Sequence, residues 1–330
     1  ETRARNERLT EIVQTKGQSE TNPGVSPNDE FAGFELWTKP VAGPGTVKVV
    51  ETNYVRNAFG NGLAIEQRLG ANPFKYGVVG GGDIHTSIVS HEEFEFTGEH
   101  NLKSDTPRAR LLEGTPGEPS KIEQGSAGLS CVWAEENTRE AIYDAMARKE
   151  TWATSGTRIV VRVFGGFDFG NAKPGDREWA RVGYRNGVPM GGDLKPDARK
   201  AAPRLMIAAS KDPNSGNLDR IQVIKGWVDA AGKTHDRIYD VAWSGNRRIG
   251  SDGKLPAVGN SVDVKNASYT NTIGSPELAT VWKDPDFDPS VPAFYYVRVL
   301  EIPTPRWSTY DAKALGIDPP KDFPATIQER

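Results

Sequence analysis

The second half of the sequence is a series of short strand-like runs separated by turn residues, and this pattern constrains the fold more than any other feature. From Ile159 onward the runs are rich in β-branched and aromatic residues, and turn clusters such as "DPNSGN", "DAAGK" and "SDGK" stand between them. The runs are "IVVRVFGGFDF", "RVGYRNG", "RLMIAAS", "RIQVIKGWVD", "RIYDVAWS" and "AFYYVRVLEI". No helical period separates them, so we expect an antiparallel β-sandwich-like module over residues 157–310. Residues 311–330 are expected to form a loosely attached tail.

The first 156 residues have a different pattern, in which helix and strand signals alternate. A helix is predicted from Asn53 to Leu69, and the apolar run from Phe74 to Val79 is typical of a buried strand. A second strand, from Leu129 to Trp133, precedes a helix for which Asn137 is the predicted N-cap. Residues 1–156 are therefore expected to form an α/β domain.

The composition argues against two classes of partner. The formal net charge is -3 and the pI is about 6.0, so no strong attraction to nucleic acid or to an acidic membrane surface is expected. No apolar run approaches the roughly 20 residues that a membrane-spanning helix needs. We therefore predict a soluble chain whose partners include neither nucleic acid nor membrane, and the sequence leaves a periplasmic or a cytoplasmic location open.

Polar residues follow two of the strand-like runs in the first part. "VVGGGDIH" places Asp83 and His85 after one run, and "TEIVQTKGQSE" places Lys16 and Glu20 after another. In α/β domains the catalytic groups lie just beyond the carboxyl ends of the strands, where the loops converge. A carboxylate oxygen together with an imidazole nitrogen suits Zn, Mn or Fe at a hydrolytic site, where the ion acidifies water and polarises a phosphoryl or carbonyl oxygen. The alternative is a tight turn with solvated side chains, because an isolated Asp-X-His is a common pattern.

The other candidate groups carry weaker signals. Arg158, where the α/β portion ends, could hold an anionic substrate group or form an ordinary ion pair. His91 and His100 lie in a polar segment, either as solvated residues or as proton shuttles to a nearby site. Ser155 in "TSGT" does not match the G-x-S-x-G elbow of nucleophilic esterases, and neither common phosphate-binding glycine motif is present.

Four long stretches are more specific than any of these short motifs. They are "GGGDIHTS", "WAEENTREAIYDAMARKETWATSGTRI", "GWVDAAGKTHDRIYDVAWS" and "DPDFDPSVPAFYYVRVLEIPTPRWSTYDA". Through them nearly the whole chain resembles a bacterial family described as a domain of unknown function, family 3604, whose members look related to the PHP (polymerase and histidinol phosphatase) metal-dependent hydrolases. The resemblance implies a partial, distorted PHP-like (β/α) barrel with metal ions at its carboxyl rim. It also implies that Asp83 and His85 are the ligands of a late strand and Glu20 that of an earlier one.

The same resemblance implies a His-X-His motif on a first strand, which this sequence does not contain. Its four histidines stand at positions 85, 91, 100 and 235. We therefore expect the first-strand ligands upstream of Glu1, and the chain to be the C-terminal half of a larger protein whose N-terminal half is its partner.

Two functions are open at this stage. The first is a metal-dependent hydrolase, most simply a phosphoesterase acting on a small-molecule or phosphoester substrate. In it Glu20, Asp83 and His85 hold divalent metal ions, and Lys16 and Arg158 bind the substrate. The second is a non-catalytic binding or structural protein that uses the β-rich module.

Overall fold

The structure is a computed structural model that describes residues 1–40, 45–87, 90–98, 106–113, 121–198 and 200–330. Its α-helices are α1 (Thr2–Asn6), α2 (Val55–Leu69), α3 (Arg139–Arg148), α4 (Trp179–Asn186) and α5 (Trp307–Leu315). Its strands are β1 (Leu9–Gln14), β2 (Gly17–Gln18), β3 (Gly77–Gly80), β4 (Leu129–Val132), β5 (Thr151–Thr154), β6 (Val160–Gly166), β7 (Gly187–Pro189), β8 (Arg204–Ser210), β9 (Leu218–Val228), β10 (Thr234–Trp243), β11 (Glu277–Lys283), β12 (Ala293–Glu301), β13 (Thr304–Pro305) and β14 (Thr326–Ile327). Within the described ranges no helix is both long and apolar enough to cross a bilayer.

The first part of the chain is α/β, with a three-stranded sheet in the order β2-β1-β3. Strands β1 and β3 are parallel, and their register pairs Leu9 with Gly77 and Thr10 with Val78. Helix α2 connects them and ends at Gly70, whose φ of 75° gives the left-handed turn that closes many helices. Strands β4 and β5 flank α3 and form an antiparallel pair. The helix predicted up to Leu69 and the alternation of helix and strand are confirmed.

These strands do not close into a barrel within the described residues. The two sheets of the first part, β2-β1-β3 and β4-β5, are open, and only β1 with β3 forms a parallel pair. A closed barrel requires each strand to pair with a neighbour on both sides. The chain is therefore a mixed α/β protein made mostly of strands in several sheets, rather than the PHP-like barrel that the resemblance implies.

The second part consists of two antiparallel sheets around a shared apolar core. Their strand orders are β10-β9-β12 and β11-β8-β6-β7. Both sheets contribute buried side chains to one cluster: Ile159, Val161, Leu205, Ile207, Ala209, Leu218, Ile221, Val223, Leu278 and Val299. The predicted antiparallel packing is confirmed, and "RLMIAAS" coincides with β8.

Two local predictions fail in this comparison, and one strand is missed. The sequence predicts a strand at "RVGYRNG", whereas these residues overlap the end of α4, which lays Trp179, Ala180 and Val182 against buried Phe164. Strand β11 is not predicted at all. The N-cap of α3 is Thr138, not Asn137, because the Thr138 side chain accepts a hydrogen bond from the backbone NH of residue 141 at 3.3 Å.

Residues 311–330 are packed more tightly than the sequence suggests. They include the end of α5 and β14, which pairs with β13. Ile327 is 6% exposed and Glu329 is 2% exposed. The boundaries at residues 156 and 310 stay predictions.

Candidate functional site

The segments that follow β1 and β3 lie side by side at one edge of the first sheet. Because the two strands are parallel, both of their carboxyl ends lie at this edge. The NH of Gly81 donates to the carbonyl of Val13 at 2.9 Å, and the NH of Thr15 donates to the carbonyl of Gly82 at 3.3 Å. These bonds place Lys16 beside Asp83.

Four polar side chains form what we call the Asp83 cluster: Gln14, Lys16, Asp83 and His85. Asp83 Oδ1 lies 2.7 Å from His85 Nε2, and Asp83 Oδ2 lies 2.5 Å from Lys16 Nζ. Gln14 Nε2 donates to Asp83 Oδ2 at 3.1 Å, while Gln14 Oε1 accepts from the Lys16 NH at 3.1 Å. The structure thus brings together three of the residues predicted from sequence, Lys16, Asp83 and His85.

The backbone of this cluster is unusual. Asp83, His85 and Ser87 have φ angles of 50°, 65° and 59°, a left-handed region that residues other than glycine seldom adopt. Between the first two, Ile84 is 5% exposed and anchors the segment in the core. Such conformations cost about 1–3 kcal/mol each and occur where the surrounding structure enforces them, often at functional sites.

The cluster is also charged and accessible. Burial raises the pKa of the Asp83 carboxyl, but hydrogen bonds from Lys16 and His85 outweigh it and leave the pKa below its usual value. About a third of the Asp83 side chain (35%) and half of the His85 side chain (47%) are exposed, whereas Lys16 is 13% exposed. Asp83 is therefore an anion at neutral pH that a ligand from solution can reach.

Glu20 lies in a different environment from the one predicted. Its Oε1 accepts hydrogen bonds from Arg56 Nη2 at 2.7 Å and from Tyr296 OH at 2.6 Å, and its Oε2 lies 3.1 Å from Arg330 Nη1. Arg298 Nη1 lies 3.1 Å from Oε1. Burial raises the pKa of Glu20, but the guanidinium groups outweigh it and hold the pKa far below its ordinary range. Both oxygens already serve cations of the protein, so Glu20 does not fit a metal ligand beside Asp83 and His85.

Asp29 completes this buried network. Arg56 Nη2 lies 2.6 Å from Asp29 Oδ2, and Arg298 Nη2 lies 2.8 Å from Asp29 Oδ1. The network joins α2 and the loop after β2 to β12, so it ties the α/β part to the β-rich part. Sequence reasoning missed it, although an arginine inside the apolar run "YYVRVL" is a signal of a buried charge that needs a partner.

The contacts of Arg158 and His91 are with residues outside the Asp83 cluster. Arg158 Nε is 3.1 Å from Asp212 Oδ2, and Arg158 Nη2 is 3.4 Å from Glu92 Oε1. His91 Nδ1 is 2.9 Å from the carbonyl oxygen of residue 156. The ion-pair interpretation of Arg158 therefore fits better than substrate binding. His100 lies outside the described residues.

Within the part of the chain that the structure describes, no group of three or more His, Cys, Asp or Glu side chains is arranged to hold a metal ion. The three-residue ligand set predicted from sequence is thus not assembled, and Asp83 with His85 supplies two donors. Carboxylate oxygen and imidazole nitrogen remain a donor pair that suits Zn, Mn or Fe.

Comparison with known proteins gives a family but no characterised relative. No curated protein and no solved structure gave a significant match to the chain. A family model described as "Protein of unknown function (DUF3604)" matches residues 1–330. Because this match spans the whole sequence, the chain belongs to the DUF3604 family.

Proposed function

We propose that this chain contributes Asp83 and His85 to the divalent-metal site of a hydrolase, most simply a phosphoesterase. The observation that carries the proposal is the contact of 2.7 Å between these two side chains on a left-handed backbone at the carboxyl edge of a parallel strand pair. Side chains in this position of α/β proteins reach a common rim where substrates bind. The relationship of the family to the PHP hydrolases belongs to the same proposal and is supported by the parallel pair of β1 and β3, although the described sheets stay open.

The donor pair fits a divalent ion in chemistry and in access. Both side chains are partly exposed, and the carboxylate is ionised at neutral pH for the reason given above. A bound Zn, Mn or Fe ion would polarise a phosphoryl oxygen and acidify a water molecule. Two donors are fewer than the three or four protein ligands that catalytic sites commonly have, so the other ligands would come from another segment or a partner.

Lys16 is the group in this chain best placed to hold an anionic substrate at the same edge. Its ammonium group lies 2.5 Å from Asp83 Oδ2 and carries a positive charge on a side chain that is 13% exposed. A phosphoryl group next to Asp83 would therefore find a positive charge within reach. Gln14 bonds both the Lys16 backbone and the Asp83 carboxylate, and so sets their relative position.

The test compares two Asp-His pairs in the same chain. His235 Nε2 lies 2.8 Å from Asp229 Oδ2 in the turn between β9 and β10, and these side chains are 32% and 38% exposed. We would titrate the full-length natural protein with Zn²⁺, Mn²⁺ and Fe²⁺ and measure hydrolysis of an aryl phosphate. Asp83→Asn is expected to weaken metal binding by at least about tenfold and to abolish turnover, whereas Asp229→Asn leaves both unchanged.

Equal metal affinity in the two variants would contradict the proposal. A full-length protein that binds none of the three ions and hydrolyses no phosphoester would favour the other candidate, a non-catalytic binding protein that uses the β-rich module.

A further inference from the structure

Residues 326–330 form a segment, here called the strap, that crosses from the end of β12 to the end of β5. The NH of Glu301 donates to the carbonyl of Glu329 at 2.8 Å. At the other end the Ser155 NH donates to the carbonyl of Arg330 at 2.7 Å, and the Arg330 NH donates to Ser155 Oγ at 2.9 Å. The strap therefore holds the backbone that follows β5.

Three carboxyl groups lie on or beside the strap. Glu301 and Glu329 are 2% exposed or less, and Glu93 is half-buried. Each is bonded to a serine hydroxyl: Ser126 for Glu93, Ser215 for Glu301 and Ser155 for Glu329. Glu93 Oε2 also accepts from the backbone NH of residue 307 at 2.5 Å. These donors are neutral, unlike the guanidinium groups around Glu20.

A second observation points to the protonation state of these groups. Glu301 is fully buried, and the groups that meet its carboxyl are all neutral: the Ser215 hydroxyl at 2.6 Å, the Thr157 hydroxyl and the backbone NH of Gly216. An ionised carboxylate that is buried among neutral groups, with no bonded cation among the described residues, is more costly than a neutral carboxyl group. The geometry of Glu301 therefore favours the protonated form.

The charged groups that face the three carboxyls offer little compensation. Arg306 points toward Glu93 and Glu329, but its Nε and Nη2 atoms are bonded to Glu35 at 2.8 and 2.9 Å. Asp212 adds a further negative charge beside Glu301. Among the described residues, Glu92, Arg158, Tyr269, Tyr310 and Arg330 of the strap itself also lie around the cluster.

The pKa shifts of the three carboxyl groups agree with this geometry. Burial raises the pKa of Glu301 to about 8. Burial and the neighbouring Glu35 raise the pKa of Glu93 to about 7, and burial with the neighbouring Glu93 raises that of Glu329 well above its usual value. Each folded-state pKa exceeds the unfolded one, so the protons stabilise the folded state at low pH and this stabilisation is lost as the pH rises through the folded pKa.

We propose that the strap is a pH-sensitive latch, docked while Glu93, Glu301 and Glu329 hold protons and released when they ionise. Ionisation would place three negative charges close together, and release of the strap would let them move apart. It would also withdraw Arg330, whose guanidinium group bonds Glu20 and packs on the Phe34 ring at 4.0 Å. The segment after β5 would lose its hydrogen bonds at Ser155, so pH would control the order of this edge of the fold.

Hydrogen exchange, measured on the whole chain, tests the latch at the backbone amides whose hydrogen bonds hold the strap in place. The NH groups of Ser155, Glu301 and Arg330 are the reporters, and the NH of Ile207 in the central strand β8 is the internal reference. Protection factors, corrected for the intrinsic rate, should fall roughly tenfold or more at the reporters between about pH 6 and about pH 9, and by less at the reference, which reports only the change in global stability.

A variant with all three glutamates replaced, E93Q, E301Q and E329Q, should show no such fall, whereas the exposed control Glu277→Gln should behave as the wild type. Reporter protection that is independent of pH in the wild type, or that falls equally in the triple variant, overturns the proposal. If the triple variant does not fold, infrared spectra of the wild type decide: the absorption of protonated carboxyl groups should be present near pH 6 and disappear above about pH 8. Its absence near pH 6 also overturns the latch.

Discussion

Replacing Glu20 by Gln separates its structural role from the metal-binding role that the sequence predicts. In the structure the Glu20 carboxylate neutralises part of a buried group of three guanidinium ions, on Arg56, Arg298 and Arg330. The variant keeps the shape of the side chain but removes its charge, which leaves Asp29 as the remaining fully buried anion of the network. Removing one partner of a buried ion pair costs about 3–5 kcal/mol because the other charge stays buried. Typical domains have only about 5–15 kcal/mol of stability, so the loss would be large.

The pH dependence gives an independent check on the same residue. The network holds the pKa of folded Glu20 below its unfolded value, so the stabilisation is fully present above the unfolded pKa and is lost as the pH falls through the folded pKa. The difference between wild type and Glu20→Gln should therefore be constant from neutral pH down to about pH 5 and should shrink below about pH 4.

Urea unfolding at neutral and acidic pH measures this difference, with Glu277→Gln on the exposed face of β11 as the matched control. The control should change the free energy of unfolding by less than about 0.5 kcal/mol. A Glu20→Gln variant that loses less than about 1 kcal/mol at neutral pH, yet loses its affinity for divalent metal, would refute the structural assignment and restore Glu20 as a ligand.

Three further predictions concern other parts of the fold. Gly156→Ala should lower the free energy of unfolding by about 2–4 kcal/mol, because φ at this residue is 141° and a Cβ would lie 2.1 Å from a backbone carbonyl oxygen. Gly170 has a φ of 60° and open space around it, so Gly170→Ala should cost about 1 kcal/mol. Thermal unfolding compares the two variants. In the wild type, the free energy of unfolding should fall by up to about 1.4 kcal/mol per pH unit between pH 4.5 and pH 8 because of Glu301, and Glu301→Gln should remove this dependence. The plot of unfolding free energy against pH should then be flatter, and an unchanged slope would contradict the prediction. Lys16→Met should raise the pKa of Asp83 toward its usual value, because the ammonium donor is lost, and an NMR titration of the Asp83 carboxyl that shows no rise would count against the contact.

Much of the fold can be predicted because the relevant signals are local. The apolar period that defines α2 and the alternation that defines β8 depend only on residues within those segments. The segment that became α4 misled this reasoning because its strand-like composition is overruled by packing, with Gly183 pressed against the Phe164 ring. Packing contacts between distant residues cannot be predicted from a short window of sequence.

The candidate site, too, can be predicted only in part from the sequence. Lys16 and Asp83 can be placed together from sequence because each follows a strand, and parallel strands end at one edge. Glu20 cannot be assigned by that rule, because its partners Arg298 and Arg330 are 278 and 310 residues away in sequence. A carboxylate after a strand fits a metal ligand and a buried ion-pair partner equally well until the folded partners are known.

The conformation of Asp83 is better explained by a ligand than by stability. Its left-handed backbone costs about 1–3 kcal/mol, and the contacts of its partly exposed carboxylate with Lys16, His85 and Gln14 return about as much, so Asp83 adds little net stability. Glycine adopts this backbone without strain, although it gives the unfolded chain more freedom. Asp83→Gly should therefore leave the free energy of unfolding within about 1 kcal/mol of the wild type while removing metal binding, as measured by urea unfolding and metal titration of the same sample. A loss above about 3 kcal/mol would mean that the Asp83 cluster holds the fold together, and the strained backbone would then be no argument for a ligand.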